Sequence, residues 1–399
     1  MQIRVCDDDA EMAAGWVSAI QEVVPPEFEV NRMENAKDEI SQLLTRKLAV
    51  EDGRNPLDQA AEFDGLDILV VDYDLVHLDN DGGRTTGEGI AKLARQYSNC
   101  GAIVVMNQFK GPQFDLGMRG HLDSHADVNV DADLVGCRAL WEKVSASGEF
   151  NPTTWTPLPN LVAAARELAK KLSSAGLDAP VTPILGLPDA ALAELSDTAF
   201  GFLSSDAQTA QDLASVTVRN FLDRSLDADN VVCLSKHAKE LLFNFAAFRI
   251  AKWLERAVLR PMDVLIDSAH LIDRLPFLID HEKVDVSNAS AWAEAAAAPS
   301  DSLLWDVLQG FHNKSASDAL GRTVFDWYRI ASDEKIDEMQ DKYLEEQPVR
   351  FYLAEDTSRF VAKDALTRYR ADFHNFGDRR GVEKLGHISY GPQRRMRFG

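Results

Sequence analysis

Basic residues are scarce in this chain of 399 residues: 42 Lys and Arg stand against 64 Asp and Glu, a formal charge of −22. The deficit is spread over both halves and disfavours contact with nucleic acid or anionic lipid. Cysteine is rare too. Cys6, Cys100, Cys137 and Cys233 form neither a CxxC pair nor a zinc spacing, which argues against a disulfide scaffold or a zinc ribbon. Cys6, inside the first strand pattern, reads as a small buried hydrophobe. The opening MQIRVC runs into that strand without a basic and then apolar leader. The longest apolar stretch, residues 241–259, is broken by Arg249, Lys252, Glu255 and Arg256 and cannot cross a bilayer as a simple helix. Internal repeats and long low-complexity tracts are also missing. The expected compartment is the cytoplasm.

What is present is an ordinary hydrophobic content of 45% in a chain too long for one core, so two domains are expected. The first 175 residues alternate between strand and helix patterns. Apolar runs at 3–6, 66–71 and 102–106 read as buried strands, with weaker ones at 28–33 and 126–130. Between them, helical spacing puts Met12, Trp16, Ile20 and Val23 on one face and aligns Ile90, Leu93 and Ala94 on another. A polar helical stretch covers 35–63 with a break near 52–56. A helix over 161–172, with Leu161, Ala164, Ala165, Leu168 and Leu172 at helical spacing, closes the unit. Residues 131–158, with Trp141, Pro152 and Pro157, read as an insertion before it. The alternation predicts an α/β fold, a doubly wound parallel five-stranded sheet.

Residues 176–188 read as a linker and 189–399 as a mainly helical second domain. Ser235 is expected to cap a long helix carrying Leu241, Leu242, Phe245, Phe248, Trp253 and Leu254, its aromatics forming core, with Pro261 as its stop. Further helices are expected over 264–275, 289–298, 302–311 and 333–345, the last with Glu338 and Lys342 at i,i+4 spacing. A strand is expected at 349–353. From Arg368 the chain turns basic, with Arg370, Arg379, Arg380, Lys384, Arg394, Arg395 and Arg397. That segment is expected to dock on acidic surface of this protein or a partner.

The chemistry concentrates in the first half. Asp7, Asp8 and Asp9 follow the first strand, and Asp72 and Asp74 follow the third. In open α/β sheets the carboxyl ends of the strands form the ligand crevice. Two carboxylates about 4 Å apart repel by roughly 4 kcal/mol at an effective dielectric of 20, so converging acids take up protons or hold a cation. Oxygen ligands with room for water favour Mg²⁺. With the metal neutralising an incoming phosphoryl group, a carboxylate oxygen attacks phosphorus in line. Asp72, ending the most apolar strand, is the best placed nucleophile. Asp74 points to the other side of an extended chain and offers its carbonyl as a ligand more readily than its side chain. Asp9 reads equally well as a helix cap. His121 and His125 sit at i,i+4 spacing, but without helical apolar support or a third zinc ligand.

These pieces, in this order, resemble a response-regulator receiver domain. They are VCDDD with Asp7 and Asp8 as the acidic pair, VVDYD with Asp72 as phosphoacceptor, IVVMN with Asn107 at the switch position, and GEGIAKLAR as the start of the third helix. The resemblance covers roughly the first 130 residues. It implies a receiver-type (flavodoxin-like) sheet and a signalling role in a bacterial two-component phosphorelay. It implies phosphoryl transfer from a histidine kinase or another phosphodonor to Asp72. Mg²⁺ would be held by Asp8, Asp72 and the carbonyl of Asp74, with Asp7 acting through water. A protein partner or a second copy would bind through either half. The chain departs from the family twice. Asn107 stands where Ser or Thr is usual, and no lysine follows strand five, where VNVDADL offers acids instead. Lys110 is the nearest candidate for that cation.

Two other readings compete. Asp-x-Asp after a buried strand also resembles the motifs of haloacid-dehalogenase-like phosphatases and Toprim nucleases, which implies a Mg²⁺-dependent phosphohydrolase or nuclease using Asp72 and Asp74. The first family places the motif after its opening strand and the second wants a glutamate there, so neither matches as well. The third reading is a pseudo-receiver adaptor in a bacterial conflict or stress system. Residues 189–399 assemble no nucleophile with its base, no glycine-rich phosphate loop and no metal-ligand spacing, so they leave the output activity open.

Overall fold

The computed structural model describes residues 1–75, 85–107, 114, 122–143, 148–204, 207–345, 349–369 and 380–390. Its first half is built on five parallel strands: β1 (Gln2–Cys6), β2 (Glu29–Arg32), β3 (Ile68–Asp72), β4 (Ala102–Asn107) and β5 (Val128–Asp131). Their spatial order is β2-β1-β3-β4-β5. Every residue of β3 and β4 is buried, as expected where helices cover both faces of a parallel sheet. The α/β expectation holds, and the remainder of the chain is mainly helical.

Alternation along the strands divides the sheet into two cores. Ile3, Val5, Ile68, Val70, Val104 and Val130 pack against Ala13, Trp16 and Ile20 of α1 (Ala10–Gln21) and Leu158, Leu161 and Ala165 of α4 (Leu158–Ala175). Cys6, Leu69, Val71, Ile103 and Val105 face the other way, toward Ile40 and Leu43 of α2 (Ala36–Glu51) and Ile90 and Ala94 of α3 (Gly87–Tyr97). Of the stretch expected as an insertion, residues 131–143 and 148–158 are described, and Leu134, Leu140 and Trp141 are buried on the first of these faces.

Residues 176–188, expected as a linker, belong to the second core instead: Leu177, Val181, Leu185 and Leu187 are all buried in it. Their prolines gave the linker signal, but Pro180 stands at the N-cap of a short helix, Val181–Ile184. The same core continues through α5 (Ala228–His237) and α6 (Lys239–Trp253). Ser235 lies inside α5 rather than capping α6, because its hydroxyl bonds back to the Val232 carbonyl and Ala238 makes the break between the helices. Helix α6 is buried on all sides from Leu241 to Trp253, the mark of a helix inside a core. It lies between α3 and α4. Its Asn244 amide donates to the Cys100 carbonyl at 3.1 Å, and the Arg95 guanidinium covers the Phe248 ring at 4.0 Å.

A third core, from Met262 to Phe360, forms within the C-terminal half. Here β6 (Leu265–Asp267) pairs antiparallel with β7 (Val324–Asp326), and α7 (Ser268–Arg274) follows β6 directly. The helix expected over 264–275 is thus a strand and a helix, since Asp267 breaks the run by capping α7 through the His270 N–H. A small sheet joins β8 (Tyr352–Ala354), β9 (Arg359–Val361), β10 (Thr367–Arg368) and β11 (Gly381–Val382) in the order β10-β11-β8-β9. From it Tyr369, Val382 and Ile388 reach back into the α1/α4 core. The described residues beyond 189 therefore contribute to all three cores. Among the described residues no helix is long and apolar enough to cross a membrane.

Candidate functional site

Strands β1 and β3 run side by side and end together. Cys6 is level with Val71, both turned toward α2 and α3, so the next residues, Asp7 and Asp72, turn to the opposite face at the strands' carboxyl ends. Asp8 follows. The Cys6 thiol is pushed up to about 12 by burial first and then by the charges of Asp7, Asp8 and Asp72.

Asp7 is half-buried, and its carboxyl is pushed up to about 7. Burial is the largest cause, and Asp72 and Asp8 add to it. The Asp9 N–H opposes them by donating to Oδ1 at 2.7 Å. Asp72 is only 4% exposed and is also raised. Burial leads again, the main-chain N–H groups of Asp74 and Tyr73 oppose it, and Asp8 and Asp74 add repulsion. The Asp74 N–H donates to Asp72 Oδ2 at 3.0 Å. Asp9 serves as the cap of α1, its Oδ1 accepting from Glu11 and Met12 at 2.8 and 3.2 Å.

The start of α3 braces this turn. Thr86 caps the helix through the Gly89 N–H and pairs with Asp74 across an isolated bridge. Gly87 donates its N–H to the Tyr73 carbonyl at 2.9 Å. A Cβ on Gly87 would lie 2.4 Å from the Asp72 carbonyl oxygen, so only glycine permits this approach.

On the other side of β3, Asp72 is level with Met106, and Asn107 is level with Asp131. Asn107 is 6% exposed, and its Nδ2 has no hydrogen-bond partner among the described residues. Leaving a buried amide unpaired costs roughly 1–3 kcal/mol, so this donor suits a ligand oxygen at the strand ends. Asp131 puts a carboxylate at the end of β5, near where a receiver keeps its lysine. Lys110, expected as the compensating cation, lies outside the described residues, as does His121. His125 is half-buried against Phe245, 6.0 Å between ring centroids, and desolvation, with Arg249 and Lys252 nearby, pushes it down to about 2.

Among the described residues no three His, Cys, Asp or Glu side chains close into a metal cage. Mg²⁺ keeps several waters and needs only one or two carboxylates. Asp7 and Asp72, with Asp8 beside them and the Asp74 main chain, meet that demand. Burial first, and neighbouring charge after it, raise both carboxyls, and a divalent cation bound there would offset that cost.

A second constellation escaped the sequence altogether. His270 is buried with Nδ1 at 2.7 Å from Asp267 and Nε2 at 3.0 Å from Glu355. Arg380 donates to the same Glu355 oxygen at 2.5 Å and to the Arg260 carbonyl at 3.0 Å. Burial alone would discharge His270, but Asp267 and Glu355 hold it up at about 9. The four residues come from α7, the end of β6, the β8–β9 turn and the start of β11. Only the Asp267–His270 spacing could have hinted at them. Both ring nitrogens of His270 are engaged, while Glu355 Oε2 and Arg380 Nε have no hydrogen-bond partner among the described residues, and the cluster fastens the C-terminal segment to β6 and α7.

Compared with protein-family models, curated proteins and solved structures, the chain shows no match.

Proposed function

We propose that this chain is a signalling protein whose first half binds Mg²⁺ at the acidic strand ends and accepts a phosphoryl group on Asp72, so controlling its C-terminal half. The observation that carries this reading is the pairing of Asp7 and Asp72. They end adjacent parallel strands, turn to the same face, and are both pushed up, by burial first and then by neighbouring carboxylates: Asp72 and Asp8 for Asp7, Asp8 and Asp74 for Asp72. Asp8 and the Asp74 main chain complete the set, and the unpaired Asn107 amide supplies a donor for an anionic oxygen.

In this reading Asp7, Asp8 and Asp72 hold the cation, which supplies charge neutralisation for an incoming phosphoryl group. An Asp72 oxygen forms the new P–O bond as the donor's P–N bond breaks, and the imidazole of a histidine kinase leaves with the electron pair. Asn107 orients a phosphoryl oxygen. The Asp74 N–H engages Asp72 Oδ2 and fixes the carboxylate's orientation.

The test is incubation with Mg²⁺ and acetyl phosphate or phosphoramidate, followed by intact mass of the wild type and Asp72→Asn. A gain of one phosphate that Asp72→Asn abolishes is the expected result. Mg²⁺ binding without any gain would reduce the protein to a metal-binding pseudo-receiver. Steady phosphomonoester turnover abolished by Asp72→Ala would make it a phosphohydrolase.

A further inference from the structure

The acidic turn is tied to the C-terminal half by buried hydrogen bonds that pass through Ser124. From α6, Arg249 Nη1 donates to the carbonyls of Leu122 and Ser124 at 2.7 and 2.5 Å. Lys252 Nζ donates to the carbonyls of Ser124 and Ala126 at 3.0 and 2.7 Å. Both cations are buried, Lys252 at 1% exposure. They are spent on main-chain oxygens just ahead of β5, an unusual use for side chains that are almost never buried unless engaged.

Ser124 faces the other way as well. Its hydroxyl donates to the Glu88 carboxylate, 2.9 and 2.8 Å from the two oxygens, and Asn129 of β5 donates to the same carboxylate at 2.9 Å. Glu88 is the second residue of α3, directly after Gly87, whose backbone rests on the Asp72 carbonyl and bonds to Tyr73. The chain of contacts from Lys252 through Ser124 and Glu88 to the Asp72 turn lies wholly among the described residues. Moving either end strands a buried donor or acceptor, which makes such a network stiff.

We infer that Glu88, Ser124 and Lys252 are positioning residues that couple occupancy of the acidic site to the placement of α6, and through α6 to the C-terminal half. The inference rests on the acidic site binding a divalent cation, as proposed above. Linkage makes the coupling reciprocal: a cation that shifts α6 is itself bound more weakly when the tie to α6 is cut.

The experiment uses the full chain and Mg²⁺ alone. Calorimetric titration gives the Mg²⁺ affinity of the wild type, Ser124→Ala, Ser124→Thr and Lys252→Met, with circular dichroism reporting the fold. Hydrogen exchange follows the amides of residues 239–253 with and without Mg²⁺. Ser124→Ala is expected to weaken Mg²⁺ about fivefold or more, the lower end of ordinary coupling, and Ser124→Thr to restore it. Mg²⁺ is expected to slow exchange in α6 of the wild type and not of Ser124→Ala. Should Lys252→Met fail to fold, Ser124→Ala alone decides. Unchanged Mg²⁺ affinity in folded Ser124→Ala, or an α6 in the wild type indifferent to bound Mg²⁺, overturns the coupling and leaves the acidic site standing. A wild type that binds no Mg²⁺ overturns both.

Discussion

His270 offers the sharpest quantitative test. Its imidazole is buried between Asp267 and Glu355, and its proton is held up to about 9 from an ordinary 6.5. At about 1.4 kcal/mol per unit, that rise corresponds to about 3 kcal/mol of folding free energy. The sign follows from proton counting. Below pH 6.5 the folded and unfolded chains both carry the proton, and the contribution is complete. Between 6.5 and 9 only the folded chain holds it, so stability falls by about 1.4 kcal/mol per pH unit. Above 9 the contribution is gone. The acid side belongs to Glu355 and Asp267: burial would raise both, but His270 and Arg322 hold Asp267 down, and Arg380 and His270 hold Glu355 down at about 2. The Glu355 share is present above its ordinary 4.5 and is lost as the pH falls toward 2. Both windows describe one network, so the two shares do not add. Urea unfolding of the wild type and His270→Gln, followed by tryptophan fluorescence from pH 6 to 10, measures the effect. At pH 6.5 the variant is expected to be less stable by about 3 kcal/mol, and the gap should close steadily by pH 9.5. Parallel curves for the two proteins across that range would show that His270 is uncharged in the fold and would refute the reasoning.

Four further outcomes are expected. Asp7 must release its proton to serve a cation, so Mg²⁺ affinity should fall as the pH drops below about 7, by about tenfold at pH 6 against pH 8, in calorimetric titrations. In the metal-free protein Asp7→Asn should raise the melting temperature most at pH 8, less at pH 5, and not below the ordinary 3.8, where folded and unfolded chains both keep the proton. Gly87→Ala forces a methyl group onto the Asp72 carbonyl. It should cost about 1–3 kcal/mol in urea unfolding and weaken Mg²⁺ in parallel. Phe248→Ala removes a fully buried ring that also lies under Arg95. It should cost about 3–5 kcal/mol in the same assay.

Much of the first half was legible because its signals are local. The apolar runs ending at Cys6, Asp72 and Asn107 became the three central strands, and Asp9 became a helix cap through bonds to its own next residues. The acids are brought together by strand register, which an α/β pattern implies without any long-range detail. Residues 176–188 misled because prolines mark both linkers and helix starts. Ser235 misled because the same serine chemistry that caps a helix is satisfied inside one by a bond to a carbonyl three residues back.

The amino-acid sequence by itself determined the five-stranded parallel sheet and the gathering of Asp7, Asp8 and Asp72 at its carboxyl edge. Both follow from periodicity and from the rule that parallel strands end together. Only the tertiary structure decided what surrounds that edge. That α6 lies buried between α3 and α4, that Lys252 and Arg249 grip the residues before β5, and that His270 meets Arg380 across 110 positions are all long-range facts. Burial makes each of them matter, since in a dry interior every charge must find its partner. No local pattern in the sequence says which partner that will be.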